Sequence, residues 1–113
     1  MASRLKLRTG KKHGASTIAV IGLGRFGTAL ALELVKSGRE VLGIDSDERL
    51  VQSNAEALTH VVQADSTDEA TLRELGLVEF DSAVVAIGSD LEASILTASL
   101  LLQLGVPEVW AKA

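Results

Sequence analysis

The feature that most limits the fold is a junction early in the chain. Thr17–Ile21 (TIAVI) is a β-branched apolar run that stops at Gly22. From Arg25 onward, Phe26, Leu30 and Leu34, with Ala31 and Val35, fall at helical spacing. A strand apolar at every position is covered on both faces, as strands of parallel sheets are. Between strand and helix lies Gly22-Leu23-Gly24-Arg25-Phe26-Gly27, a G-x-G-x-x-G. Alone the pattern is weak; after a strand and at a helix start it gains meaning. Gly22 allows the tight turn, Gly24 leaves room for a pyrophosphate against the backbone, and Gly27 lets the helix lie close to the strand. The helix N-terminus then offers N–H groups and the positive end of its dipole to phosphate.

The same alternation continues. The first helix is predicted over residues 25–37 and closed by Gly38, in the left-handed conformation of a residue just past a helix end. Glu40–Asp45 reads as a second strand, and Ser46 leads a helix over residues 47–57, whose acids Asp47 and Glu48 suit the dipole. Residues 60–64 make a third strand. Ser66 and Glu69 form an S-x-x-E box opening a short helix that Gly76 ends, residues 82–87 a fourth strand, and Ser89 and Glu92 a second box opening a helix over residues 90–104. Gly105 and Pro107 precede a fifth strand over residues 108–112. This order predicts an α/β protein with a Rossmann-like, doubly wound parallel sheet, order 3-2-1-4-5. The chain stops on its fifth strand, short of the sixth that most such sheets have.

Charge divides the chain in the same place. Arg4, Lys6, Arg8, Lys11 and Lys12 give the first residues +5, while the rest carries six bases against fifteen acids, a net of −9. Residues 1–16 are therefore read as a basic, disordered arm and residues 17–113 as one folded domain. The arm suits an acidic partner or anionic headgroups, or is simply a solvated leader. A body this acidic is a poor partner for nucleic acid. No apolar run approaches the roughly 18 residues of a membrane span, and the first residues hold no apolar stretch of a secretory signal.

Asp45 ends the second strand, where a carboxylate accepts hydrogen bonds from ribose hydroxyls and repels a 2′-phosphate. Asp65, Ser66 and Thr67 follow the third strand, also at a carboxyl end; Ser66 reads more readily as a helix cap, and Asp65 equally as a loop acid. Arg25 can fork onto phosphate oxygens, and Lys112 can reach a phosphate or a partner chain, or each can be a solvated surface cation. His13 and His60 have no companions at metal-ligand spacing. Chemistry on a bound nucleotide is not expected. The chain has no Tyr and no Cys, so it lacks the acid–base or thiol group of nicotinamide enzymes, and it has no G-x-x-x-x-G-K-[ST]. Binding without chemistry is the logic of a sensor.

From Ile18 to Lys112 the chain resembles the N-terminal lobe of RCK domains, also called TrkA-N or KTN domains, which regulate Trk/Ktr potassium transporters and some potassium channels. The stretches IAVIGLGRFGTALA (18–31), GREVLGIDSDE (38–48), THVVQADSTDEATL (59–72) and SAVVAIGSDLEASILTASLLLQLGVPEVWAKA (82–113) carry the likeness. The resemblance implies a site for ATP, ADP or NAD(H) in the glycine loop, with a lean to adenine nucleotides. Asp45 would take the ribose, Asp65, Ser66 and Thr67 would border the adenine, Arg25 would lie near the terminal phosphates, and Lys112 would lie at an inter-subunit phosphate region. It also implies a cytoplasmic regulatory subunit peripheral to the inner face of the cell membrane. Homodimers would assemble into a ring, an octamer in the family, beneath a membrane-embedded potassium transporter subunit. The C-terminal lobe of that family is absent from this chain. The helix over residues 90–104 is apolar on more than one face, which suggests burial on more than one side and a subunit contact. Two other readings stand beside this one: the RCK lobe of a channel or a cation/proton antiporter, and the NAD-binding half of a truncated dehydrogenase.

Overall fold

The computed structural model describes residues 16–112. Among them, one parallel sheet runs in the order β3-β2-β1-β4-β5, built from β1 (Thr17–Ile21), β2 (Glu40–Asp45), β3 (His60–Gln63), β4 (Ser82–Val85) and β5 (Glu108–Ala111). The crossovers are α1 (Arg25–Lys36), α2 (Glu48–Asn54), α3 (Glu69–Glu74) and α4 (Leu91–Gln103). This is the Rossmann-like architecture and strand order expected. The basic arm lies outside the described residues, Ser16 excepted.

Successive side chains of a strand point to opposite faces, and β1 uses both. Ala19 and Ile21 pack on one side with Ile44, Val85, Leu72 of α3 and Leu101 of α4. Ile18 and Val20 pack on the other with Val41, Leu58 and Ala31 of α1. This two-sided burial makes TIAVI apolar throughout and puts β1 at the centre. The chain leaves β1 toward β2 on one flank, while β4 pairs with the other flank, Ile21 standing opposite both Ile44 and Val85. A crevice at the carboxyl ends of the strands follows from that switch of direction.

β1 and β2 have the bounds expected. The other strands end one or two residues early, because Ala64, Ile87 and Lys112 have already turned into the loops at the carboxyl edge. The helix caps differ more. Ser46, Ser66 and Ser89 do not cap; Asp47, Asp68 and Asp90 do, accepting from the N–H of Arg49, Ala70 and Ala93. In each case an aspartate lies one or two residues nearer the helix, and its full charge complements the dipole better than a hydroxyl. The first Glu of each box consequently falls too early in the helix to reach back. A 3-10 turn at Leu77–Glu79, unforeseen in the sequence, buries Leu77 under β4. Gly38 does close α1, at φ +90.

Burial of α4 on more than one side does not hold within the single chain. Its buried positions are Ser94, Thr97 and Leu101, while Leu91, Ile95, Leu96 and Leu102 are exposed. Its apolar excess therefore faces outward, beyond what the sheet covers.

The glycines of the loop sort by contact. A Cβ on Gly27 would stand 1.7 Å from the Gly22 carbonyl oxygen, whereas one on Gly24 would meet nothing within 4 Å. Gly27→Ala is expected to cost about 3 kcal/mol and Gly24→Ala less than about 1 kcal/mol; urea denaturation midpoints of the two variants check the contrast.

Candidate functional site

The loop after β1 is held by backbone and by one carboxylate. Gly22, at φ +105, donates its N–H to the Ile44 carbonyl at 2.8 Å, and a Cβ there would stand 2.3 Å from the Ala86 oxygen. That position is closed to any other residue. Leu23 drives its side chain into the core above Gly43. Its N–H donates to Asp45 Oδ2 at 2.7 Å, while the Asp47 N–H donates to Asp45 Oδ1 at 2.8 Å. An ionised carboxylate has about four lone-pair sites, so each oxygen of Asp45 keeps one direction open. The Thr28 hydroxyl donates to the Leu23 carbonyl at 2.9 Å and fixes the far side of the turn.

The helix that opens here is unlike its neighbours. α2, α3 and α4 each have an aspartate at the N-cap, but α1 has Gly24 there, no side-chain cap and no acid in its first turn. The first N–H groups of a helix have no partner within it. At α1 they are left to an outside acceptor, and the dipole favours an anion.

The loop after β3 is a self-contained turn. Asp65 Oδ1 accepts from the Thr67 hydroxyl at 2.6 Å and the Thr67 N–H at 2.9 Å. These bonds, the hydroxyl first, hold the Asp65 carboxyl below its ordinary 3.8. Ser66 turns inward, and its hydroxyl lies 3.0 Å from that of Thr97 on α4. The expected cap reading of Ser66 is thus replaced by a tie to α4.

Around these loops lies a cleft of about 510 Å³, lined on its floor by Ile21, Ile44 and Ala64 and at its rim by Gly22, Gly24 and the aspartates. Of the expected site residues, Gly22, Gly24, Asp45, Asp65, Ser66 and Thr67 line it. Leu23 and Gly27 are buried packing residues. Arg25 and Phe26 sit exposed at the start of α1, outside the lining, with the Lys112 ammonium 5.4 Å from the centre of the Phe26 ring. Ser46, Asp47, Ile87, Asp90 and Ala93 also line the cleft and were not singled out in the sequence. The signal for Ile87 and Asp90 was present: they follow β4, the strand on the other flank of the switch. The charged groups lining the cleft are all carboxylates, namely Asp45, Asp47, Asp65 and Asp90. Such walls suit hydrogen-bond donors, such as a ribose diol or a base amine, and the uncapped start of α1 suits phosphate. The open space at Gly24 is the cradle a Cβ would fill. The residues present therefore fit a nucleotide. No group of three metal-ligating side chains comes together among the described residues; His60 is exposed at the start of β3, and His13 lies outside them.

Two outcomes follow from this geometry. Asp45→Ala is expected to speed hydrogen exchange at the Leu23 amide by at least about tenfold, since a bond to a charged acceptor is lost. Because the Asp65 carboxyl is depressed in the folded chain, its contribution to stability is full above 3.8 and is lost as pH falls through its lower folded value. Thr67→Ala is expected to move the Asp65 titration, followed by NMR at the carboxyl carbon, up toward 3.8.

Comparison with known proteins agrees with this arrangement. The TrkA-N domain model matches residues 18–113. The chain is 46% identical over 95 residues to Ktr system potassium uptake protein A of Bacillus subtilis, covering 84% of this chain and 43% of that protein. It is 43% identical over 102 residues to Ktr system potassium uptake protein A of Vibrio alginolyticus, covering 90% of this chain and 46% of that one. The chain thus spans less than half the length of these relatives. Among solved structures, the NAD(P)-binding domain of an exopolyphosphatase-related protein from Archaeoglobus fulgidus superposes with a TM-score of 0.75 at 26% identity, covering 85% of this chain and 71% of that one. With the family model reaching all five strands and the glycine loop in its expected setting, the chain belongs to the TrkA-N domain family.

Proposed function

We propose that this domain is the nucleotide-sensing lobe of a regulatory subunit of a potassium uptake transporter. The observation that carries the reading is the uncapped N-terminus of α1, opening beside a cleft whose charged walls are all carboxylate. Phosphates would lie against the N–H groups at the start of α1. The ribose would share Asp45 with the Leu23 amide, and the base would border Asp65, Ser66 and Thr67. Arg25 and Lys112, outside the cleft, would meet only phosphates that extend past the loop or belong to a neighbouring copy. The ligand is ATP, ADP or NAD(H), with the lean to adenine nucleotides resting on the Ktr relatives. NAD(H) is favoured instead by the likeness to an NAD(P)-binding domain.

The role is binding rather than catalysis, and a ligand that prefers one arrangement of the subunit shifts its population. The partner would be the membrane-embedded subunit of the transporter, on the cytoplasmic side of the membrane. No helix of the described residues is long and apolar enough to cross a membrane. The outward apolar residues of α4 would contribute to a homodimer and, through it, to a ring. The domain division, with a basic arm over residues 1–16, the N-lobe over residues 17–113 and a separate C-terminal lobe in the whole subunit, belongs to the same proposal. The same lobe serving a channel, an antiporter or a dehydrogenase is distinguished by the full-length sequence: preceding membrane spans or a catalytic domain would displace the present reading.

Calorimetric titration with ATP, ADP, AMP, NADH and NADPH tests the site. NADPH is expected to bind more weakly than NADH, because its 2′-phosphate would face Asp45 and Asp47. Asp45→Ala should weaken every ribose-bearing ligand by about 10- to 100-fold, and Arg25→Ala should weaken ATP more than AMP. Absence of binding by all five at millimolar concentration would overturn the reading.

A further inference from the structure

Helix α4 turns apolar residues outward as well as inward, and buries hydroxyls. Leu91, Ile95, Leu96 and Leu102 face outward, while two of its three buried positions, Ser94 and Thr97, carry hydroxyls. Buried hydroxyls need partners. The Ser94 hydroxyl has none among the described residues, but Thr97, fully buried, has two bonds to one residue. Its hydroxyl donates to the Ser66 carbonyl at 3.3 Å and lies 3.0 Å from the Ser66 hydroxyl, which is left to donate in return. The pair spans 31 residues of sequence and crosses the switch in the sheet, joining the loop after β3 to the helix after β4. Ser66 lines one cleft wall with Asp65 and Thr67, and Thr97 lies on the helix whose start lines the other through Asp90 and Ala93.

We infer that Thr97, which does not itself line the cleft, is a positioning residue for the nucleotide site. Its reciprocal bond with Ser66 sets the separation of the two walls and ties the loop over residues 65–67 to the helix that carries the exposed apolar face. The inference rests on the nucleotide-site reading above. The turn between Asp65 and Thr67 fixes the loop's own shape, but nothing within that turn fixes its distance from α4. The Thr97–Ser66 pair does, so a ligand that moves this wall must move α4 or break the pair.

The test uses the full chain and three variants, Thr97→Val, Thr97→Ser and Ser66→Ala, with ADP affinity by calorimetry and amide exchange in the ligand-free state. Thr97→Val keeps the shape of the side chain and removes the hydroxyl. It is expected to weaken ADP about tenfold and to speed exchange at residues 66–68 while leaving β1 and β2 protected; Thr97→Ser is expected to restore both. In the double variant Ser66→Ala with Thr97→Val, exchange at residues 66–68 should be no faster than in Thr97→Val, which by itself removes both bonds, whereas Ser66→Ala alone leaves the Thr97 bond to the Ser66 carbonyl. Unchanged affinity and exchange in Thr97→Val, faster exchange at residues 66–68 in the double variant than in Thr97→Val, or faster exchange spread evenly over the sheet would overturn the inference. If the unsubstituted chain binds no nucleotide, the site reading fails by itself, and exchange at residues 66–68 still decides whether the pair holds the wall.

Discussion

A single carboxylate organises the carboxyl edge of this sheet. Asp45 takes the Leu23 N–H on one oxygen and the Asp47 N–H on the other, so it closes the glycine loop and starts the turn into α2 together. Leu23 reinforces the loop from below, where its side chain packs over Gly43, a residue with no Cβ to obstruct it. Without this clamp the loop would keep the Gly22 backbone bond, the Thr28 bonds and the Leu23 packing, but would lose the tie between the glycine loop and the end of β2. Asp45 thus has an internal task, and the lone pairs left on its oxygens leave room for the ribose contact proposed above.

Charge gives the cleft its direction. Four carboxylates line it, and the positive groups lie elsewhere: the dipole end of α1, Arg25 beside it, and Lys112 over Phe26. An elongated ligand with donors at one end and phosphates at the other fits only one way round. The proposed sensor role would use the same layout. One wall is the turn after β3 and the other is the start of α4, whose outer face is apolar and uncovered in the single chain. A change in the cleft therefore has a short mechanical route to a surface suited to contact between subunits.

Much of this was legible in the sequence because its signals are local. The TIAVI and EVLGID runs end at residues that cannot continue a buried strand, and both strands have the bounds expected. The glycine loop declares itself by spacing and setting, and Asp45 by its distance from it. What was misread depends on choices between neighbours or on contacts far along the chain. Ser46, Ser66 and Ser89 look like caps by pattern, but each loses to an aspartate nearer the helix. The partner of Ser66 lies on α4, and no local rule points to it. Asp90 lines the cleft because β4 pairs with β1 rather than with β3, a fact of strand order. The outward face of α4 was seen as excess hydrophobicity; only the packing shows which side of the helix carries it.

In the proposed binding mode, phosphate meets the uncapped start of α1 while ribose and base lie along the carboxylate walls. Amide NMR of the labelled chain titrated with ADP tests it most directly. The largest shifts are expected on Gly22, Gly24, Arg25 and Phe26, with a second group at Asp65, Ser66 and Thr67. Shifts confined to α3 or to the outer face of α4, with the glycine loop unmoved by saturating ADP, would contradict it.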